Sequence, residues 1–474
     1  MVRVVTTLTA AIALATPVAA QPEPNALLAQ RYELGQRVKR FEREWEKRDG
    51  TAARARALGH LSKLTQQFFA FQFGEAGRSL DLATFALTTD DEPSNAQLWA
   101  WSLYAIPESR VLDGTAKELT VTIAPLYSLK GERPKNLEVQ LWFTDKQLVT
   151  AKPDKFPHTV KVPLPALGEF EGLDRKLYFL VESGKELRRS AVGVSQVASA
   201  ATRLAALKKA TGAWKSLDTI EQATVSDRAE QLTSVASGAM PETDLPIADL
   251  LKNAETMLNG EPFFTPAKAG EFWLSVPLGE KKSAPCRVFV PRGLAPHKPV
   301  PVVFALHGAG GSENLFFEGY GAGRVVTECR DRGWVLVAPR SGTTFAGAPP
   351  VTKILDQLAT RYPLDTKRVF VVGHSMGASQ TVELVQKHPG RFAAVAALGG
   401  GGTVKDAKPF AEQPTFVGVG NNDFALSAAR GLRKALTDGG AKHVTYKEYT
   451  GVEHMVIVRT ALPDVFALFD EHAK

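Results

Sequence analysis

Apolar positions along the chain change their spacing three times, and each change marks a switch of structure. Between about 24 and 88, Leu27, Leu28, Leu34, Val38 and Phe41, then Leu58, Leu61, Leu64, Phe68 and Phe69, recur at helical intervals. Asp49-Gly50 interrupts the run, so residues 21–95 are expected to form a helical hairpin region of two antiparallel helices. From about 97 the period drops to two. Leu119, Val121 and Ile123, then Leu137, Val139, Leu141 and Phe143, then Val160, Val162 and Leu164 alternate with polar residues. Two further runs flank Ser183-Gly184, a hairpin signal. About six short strands with Pro- and Gly-rich connections predict a small β-sandwich over 96–198. Residues 199–260 return to helical spacing, with Leu204, Leu207, Trp214, Ile220, Leu232, Leu250, Leu251 and Leu258 as the apolar positions.

After Asn259-Gly260 the strands become apolar on both faces. Phe272–Val276 and Arg287–Val290 pattern as a hairpin, and buried runs then alternate with helices: 301–306, 334–338, 369–372, 393–398, 415–419 and 444–449. Strands buried on both sides and separated by helices specify a mostly parallel sheet flanked by helices. The span 261–474 is expected to be one such domain.

Composition adjusts this picture only at the margins. At 474 residues the chain is too long for one ordinary core. Its 44% apolar and 23% charged content are those of a globular protein. The net charge of +7 comes from mixed charges: Arg37, Lys39, Arg40 and Arg43 interleave with Glu42, Glu44 and Glu46, the pattern of a solvated helix face, which argues against a nucleic-acid partner. Arg3, the apolar stretch Val4–Ala15 and the small residues Val18-Ala19-Ala20 have the form of a signal peptide over 1–20, so export to the periplasm or medium is expected. No later stretch is long and apolar enough to span a bilayer. Two cysteines, Cys286 and Cys329, are too few for a disulfide framework; they fit two buried small apolar residues, with a bridge between them left open.

The chemistry gathers in the last domain. Val369–Val372 runs straight into Gly373-His374-Ser375-Met376-Gly377 and then a helix. A sharp strand-to-helix turn holds its apical side chain strained and exposed, and the flanking glycines avoid collisions there. Ser375 is therefore a candidate nucleophile, which needs a base and a group to orient that base. In a parallel sheet such groups collect at carboxyl ends of strands. The strand 415–419 ends in Gly420-Asn421-Asn422-Asp423, and the strand 444–449 leads to Glu453-His454. Asp423 and His454 are the candidate acid and base, with Asp406 in reserve as the acid; His307 and His374 are assigned structural roles. The turn Leu306-His307-Gly308-Ala309-Gly310-Gly311 follows an earlier strand. It offers Ala309 N–H, or alternatively Gly308 N–H, as an oxyanion donor beside Met376 N–H. Phe316, Phe317 and Tyr320 are candidates to line a substrate pocket, with Ser341–Phe345 as another wall. Only a short loop separates Gly399 from Pro414, so no large lid is expected there. No metal-ligand cluster, phosphate loop or dinucleotide fingerprint is present, and no cofactor is expected.

The segments HGAGG, D-x-x-R-V-F-V-V-G-H-S-M-G (Asp365 to Gly377), GNND and EHM resemble those of compact secreted α/β-hydrolases. These include polyhydroxybutyrate depolymerase-like and feruloyl esterase-like enzymes, dienelactone hydrolase-like proteins and the catalytic domain of prolyl oligopeptidases. The resemblance covers 261–474 and implies a serine hydrolase cleaving carboxylic esters, with Ser375, Asp423 and His454 as triad and Ala309 and Met376 as oxyanion donors. Its expected substrate is a small-molecule or polymer-borne ester, and the N-terminal half is the candidate for carbohydrate or cell-wall contact. A prolyl oligopeptidase-like peptidase is the first alternative, although the Val-Pro usual after that family's acid is replaced by Phe424-Ala-Leu-Ser. A catalytically silent binding scaffold is the second.

Overall fold

The computed structural model describes residues 24–48, 50–143, 146–164, 172–260, 262–342 and 347–474. The expected signal peptide lies outside these residues, as do Asp49 and Thr343–Phe345. The chain begins with helices α1 (Pro24–Glu46), α2 (Thr51–Leu61), α3 (Leu64–Phe69), α4 (Phe73–Ala86) and α5 (Asn95–Ser102). Where two helices were expected before residue 88, four form, because the second stretch turns at Ser62 and again at Phe71, whose φ is +58°. A capping box starts α5: Ser94 Oγ accepts the Gln97 N–H while Gln97 accepts the Ser94 N–H.

Strands follow: β1 (Leu103–Pro107), β2 (Val111–Asp113), β3 (Glu118–Pro125), β4 (Glu138–Phe143), β5 (Lys146–Ala151), β6 (His158–Pro163), β7 (Gly172–Glu182) and β8 (Glu186–Val197). They form a three-stranded sheet, β1-β3-β6, and a five-stranded sheet, β2-β8-β7-β4-β5. Alternate residues from both sheets, among them Leu119, Val121, Ile123, Val139, Leu141, Leu177 and Phe179, share one apolar cluster. The pairings are antiparallel apart from β2, which lies parallel to β8.

Helices α6 (Ala200–Gly212), α7 (Ile220–Ala236) and α8 (Ile247–Leu258) lead into β9 (Gly270–Gly279) and β10 (Lys282–Val290), the hairpin that the alternation predicts. The remainder alternates: β11 (Val300–Leu306), α9 (Arg324–Arg332), β12 (Val335–Pro339), α10 (Val351–Ala359), β13 (Leu364–His374), α11 (Met376–Lys387), β14 (Ala394–Leu398), β15 (Thr415–Gly420), α12 (Leu426–Asp438), β16 (Val444–Tyr449) and α13 (Ile457–Glu471). Together these strands make an eight-stranded mixed sheet in the order β16-β15-β14-β13-β11-β12-β10-β9, parallel from β16 to β12 and antiparallel beyond. After β12 the chain crosses back over β11 to form β13. Ligands of open parallel sheets bind at such reversals, outside the carboxyl ends of the strands.

Successive residues of each central strand enter different cores. Val302, Phe304, Val369 and Val371 pack with α7, α8, α10, α11 and α12. Val303, Ala305, Phe370 and Val372 pack with α9 and α13, and in the same cluster lie Leu34, Phe41 and Trp45 of α1, Leu61 of α2 and Leu80 of α4. The N-terminal helices therefore complete one face of the large sheet. Cys286 and Cys329 are both free and buried, Cys286 against the first face and Cys329 against the second.

Candidate active site

Strand register builds the site. Leu306 at the end of β11 pairs with Gly373 near the end of β13, so the turn His307–Gly311 and the turn at Ser375 start side by side. The backbones pass so close that a Cβ on Gly373 would collide with the Gly377 carbonyl, and one on Gly377 with the Leu306 carbonyl. Ser375 itself has φ 57° and ψ −113°, a conformation that an L-residue holds only when its surroundings impose it. Its N–H donates to the Leu398 carbonyl at 2.9 Å, which ties the turn to β14.

Asp423 follows β15, and His454 follows β16. His454 Nδ1 lies 2.9 Å from Asp423 Oδ1. A carboxylate accepts, so Nδ1 carries a proton and donates it to Asp423. Asp423 Oδ1 also accepts the Ala425 N–H at 2.8 Å, while Oδ2 is buried without a hydrogen-bond partner. Both residues are buried, and His454 lines the same cavity as Ser375. The reserve acid, Asp406, is exposed and accepts the Lys408 N–H at 3.0 Å.

The two histidines assigned structural roles brace the site through fixed tautomers. His307 Nδ1 donates to the Gly308 carbonyl at 2.8 Å, and its Nε2 accepts the Ser341 N–H at 3.0 Å. His374 Nε2 lies 3.0 Å from the His454 carbonyl, to which it can only donate. Its Nδ1 must then accept, and the Tyr320 hydroxyl 2.9 Å away donates to it. Tyr320 Oη in turn accepts the Gly308 N–H at 3.2 Å. A single chain of hydrogen bonds thus runs from the turn after β11, through Tyr320 and His374, to the backbone of His454. Burial, reinforced by the neighbouring His454, holds the His374 pKa well below the usual imidazole value, so the ring stays neutral.

That chain has two consequences for the expected residues. The Gly308 N–H is already engaged, whereas Ala309, the other candidate of this turn, lies in the cavity wall; Met376 opens α11 directly after Ser375. Among the three aromatic pocket candidates, only Tyr320 lines the cavity. Phe316 is fully buried, edge-on to Tyr320, and Phe317 lies beneath the Arg287 guanidinium. Both belong to the apolar cluster shared with α9 and α13.

The sequence offers no lid between Gly399 and Pro414, but the cavity is nevertheless roofed. Its volume is about 150 Å³, and Leu34 and Val38 of α1, Leu64 and Phe68 of α3, and Leu80 of α4 share its lining with Gly308–Gly311 and Ser375. Beside His454, Phe424 is two-thirds exposed, with its ring tilted 47° against the imidazole at a centroid distance of 4.3 Å. Below it, Glu453 is buried, and desolvation pushes its pKa up to about 8, with Asp423 and Glu42 adding repulsion. Glu42 of α1 is also raised to about 8 by burial, against the opposing charge of Arg459. Sequence reading missed Glu42, Glu453 and the roof, since nothing in a helical apolar stripe says which surface it covers.

No protein-family model matches the chain. A segment of 148 residues, 30% of this chain, is 30% identical to a bifunctional acetylxylan esterase/xylanase of Neocallimastix patriciarum, and it spans 21% of that protein. Among solved structures, a thermostable esterase aligns over 78% of this chain and 98% of its own at 16% identity, with a TM-score of 0.38. A feruloyl esterase module from Clostridium thermocellum aligns over 44% of this chain and 89% of its own at 14% identity, TM-score 0.36. An S-formylglutathione hydrolase from Agrobacterium tumefaciens aligns over 45% and 98% at 19% identity, TM-score 0.34. Among the described residues no helix is long and apolar enough to cross a membrane.

Proposed function

We propose that this chain is a serine hydrolase of the α/β-hydrolase superfamily that cleaves carboxylic esters. The observation that carries the reading is the strained Ser375 at the apex of β13 and α11, sharing a cavity with His454, whose Nδ1 is held 2.9 Å from Asp423. The partial likeness to a bifunctional acetylxylan esterase/xylanase supports an ester over an amide as the bond cleaved. In this mechanism His454 Nε2 takes the Ser375 hydroxyl proton as Oγ attacks the ester carbonyl. Negative charge develops on the carbonyl oxygen and is met by the N–H groups of Ala309 and Met376, each worth about 3 to 4 kcal/mol in the transition state. The His454 imidazolium, oriented by Asp423, then protonates the departing alcohol. An acyl-enzyme remains, and water activated by the same imidazole releases the acid and restores Ser375.

The test uses a fluorophosphonate, which phosphonylates activated serines. Wild type is labelled at one site, and Ser375→Ala is not labelled and loses at least about 10⁴-fold of its turnover of p-nitrophenyl esters. Turnover of prolyl amides without turnover of esters would establish the peptidase alternative. An unlabelled wild type that turns over neither substrate would establish the silent scaffold.

A further inference from the structure

The cavity at Ser375 has one polar end and one long apolar wall, and the wall belongs to a different part of the chain. Gly308–Gly311 and Ser375 form the polar end. Leu34 and Val38 of α1 and Leu64 and Phe68 of α3 form the wall, and Phe68 packs so closely on Gly310 that a Cβ there would strike its ring. The cationic side chains at the cavity's edge are already paired: Arg31 with Glu242 at 3.0 Å and with the Gly310 carbonyl, and Lys39 with Glu318. Neither is free to receive a carboxylate or phosphate.

The proposed reaction fixes which part of an ester meets this wall. The carbonyl oxygen lies at the Ala309 turn. The alcohol must leave beside His454, which protonates it, and there the exposed Phe424 ring opens towards solvent. The remaining substituent of the carbonyl carbon, the acyl group, is directed to the third side, the wall formed by α1 and α3. We infer that α1 and α3 form an acyl-selecting pocket for an uncharged apolar acyl group, with Val38 and Phe68 as the specificity-determining residues. This inference rests on the serine-hydrolase reading. It gives the N-terminal helices a part in substrate choice, beyond covering the sheet.

Burying one methylene contributes roughly fourfold to kcat/KM when the contact is fully formed. The experiment measures kcat/KM per fluorophosphonate-labelled site for p-nitrophenyl esters from acetate to dodecanoate. Wild type is expected to gain with each added carbon until the pocket is full and to decline beyond that length. Val38→Phe fills the pocket, moving the optimum to a shorter acyl chain and lowering the octanoate-to-acetate ratio at least tenfold; Phe68→Ala moves the optimum longer. In parallel, calorimetry follows octanamide and acetamide binding to Ser375→Ala, which needs no turnover. Octanamide should bind more tightly than acetamide, and adding Val38→Phe should abolish the difference. A flat wild-type length profile, or variants that lower every ester by the same factor with octanamide binding unchanged, would overturn the acyl pocket. Wild type that turns over no ester while octanamide still binds in a Val38-dependent way would leave the pocket standing and remove the hydrolase reading.

Discussion

Tyr320 is the residue whose position says most about how the site is held. Its hydroxyl donates to His374 Nδ1 and accepts the Gly308 N–H, so one oxygen links the turn after β11 to the ring next to Ser375, and that ring holds the His454 carbonyl. Tyr320→Phe keeps the packed ring but leaves a buried N–H and an imidazole nitrogen unpaired, a loss of about 1–3 kcal/mol that falls on alignment. We expect kcat to fall about 10- to 100-fold with KM changed less than about threefold, while fluorophosphonate stoichiometry stays at one per chain. A rise in KM with kcat intact would assign Tyr320 to substrate contact instead. Ser375, Asp423 and His454, the proposed triad, could be placed near one another from the sequence because each lies at or just past the carboxyl end of a strand of one parallel sheet. The linking role of Tyr320 could not be read this way, because its two partners, Gly308 and His374, lie 12 and 54 residues away along the chain.

Among the elements, α1 carries the most connections. Its Arg37 is buried and donates to Asp81 of α4 at 2.9 Å, to Glu33 one turn earlier at 2.5 Å and to the Trp101 carbonyl at 2.5 Å. Arg188 of β8 also pairs with Glu33, and the Tyr127 hydroxyl donates to Asp81 at 3.0 Å. This cluster pins α1 between α4 and the five-stranded sheet, and α1 in turn forms the roof over Ser375. Removing one charge from such a cluster strands the others without water. Asp81→Asn should therefore lower unfolding free energy by about 3–5 kcal/mol in urea titrations. Lys161→Ala, which breaks the exposed pair with Glu118, should cause no resolvable shift. Equal effects of the two changes would contradict this account. The charges of α1 suggest a solvated face when taken as sequence alone. Arg37 and Glu42 are nevertheless buried, because burial depends on which partners arrive from α4, β8 and α13, and a single helix carries no record of them.

At the scale of the molecule, the eight-stranded sheet and the N-terminal helices form one continuous core, and two buried carboxyls, Glu42 and Glu453, lie in it. Glu42 and Glu453 each have a pKa near 8 when folded, against an ordinary value near 4.5. Between those values the folded chain binds protons that the unfolded chain has released. Stability is therefore greatest below about pH 4.5 as far as these groups are concerned, falls as pH rises towards 8, and levels off above it, with a slope of at most about 1.4 kcal/mol per pH unit per group. The carboxyls held low by cations, such as Glu313 beside Arg340, act in the opposite sense and only as pH falls through the acid range. Chemical denaturation from pH 5 to 9 should show the decline, and Glu453→Gln should roughly halve its slope, with Glu42 supplying the rest; a wild-type profile that rises over this window would contradict the assignment. The order of helices, short strands, helices and parallel sheet was legible from periodicity alone. The merging of the first helices with the last sheet was not, because their apolar stripes fit any apolar face.

The central claim is that Ser375 carries the acyl group during turnover. Rapid mixing with excess p-nitrophenyl acetate, followed by acid quench and mass analysis of the peptides, tests it most directly. With Ser375 as the nucleophile, a burst of one p-nitrophenol per chain and an added acetyl group on the peptide containing Ser375 are expected, both absent from Ser375→Ala. Steady hydrolysis with the acetyl group on another residue, or undiminished in Ser375→Ala, would contradict it.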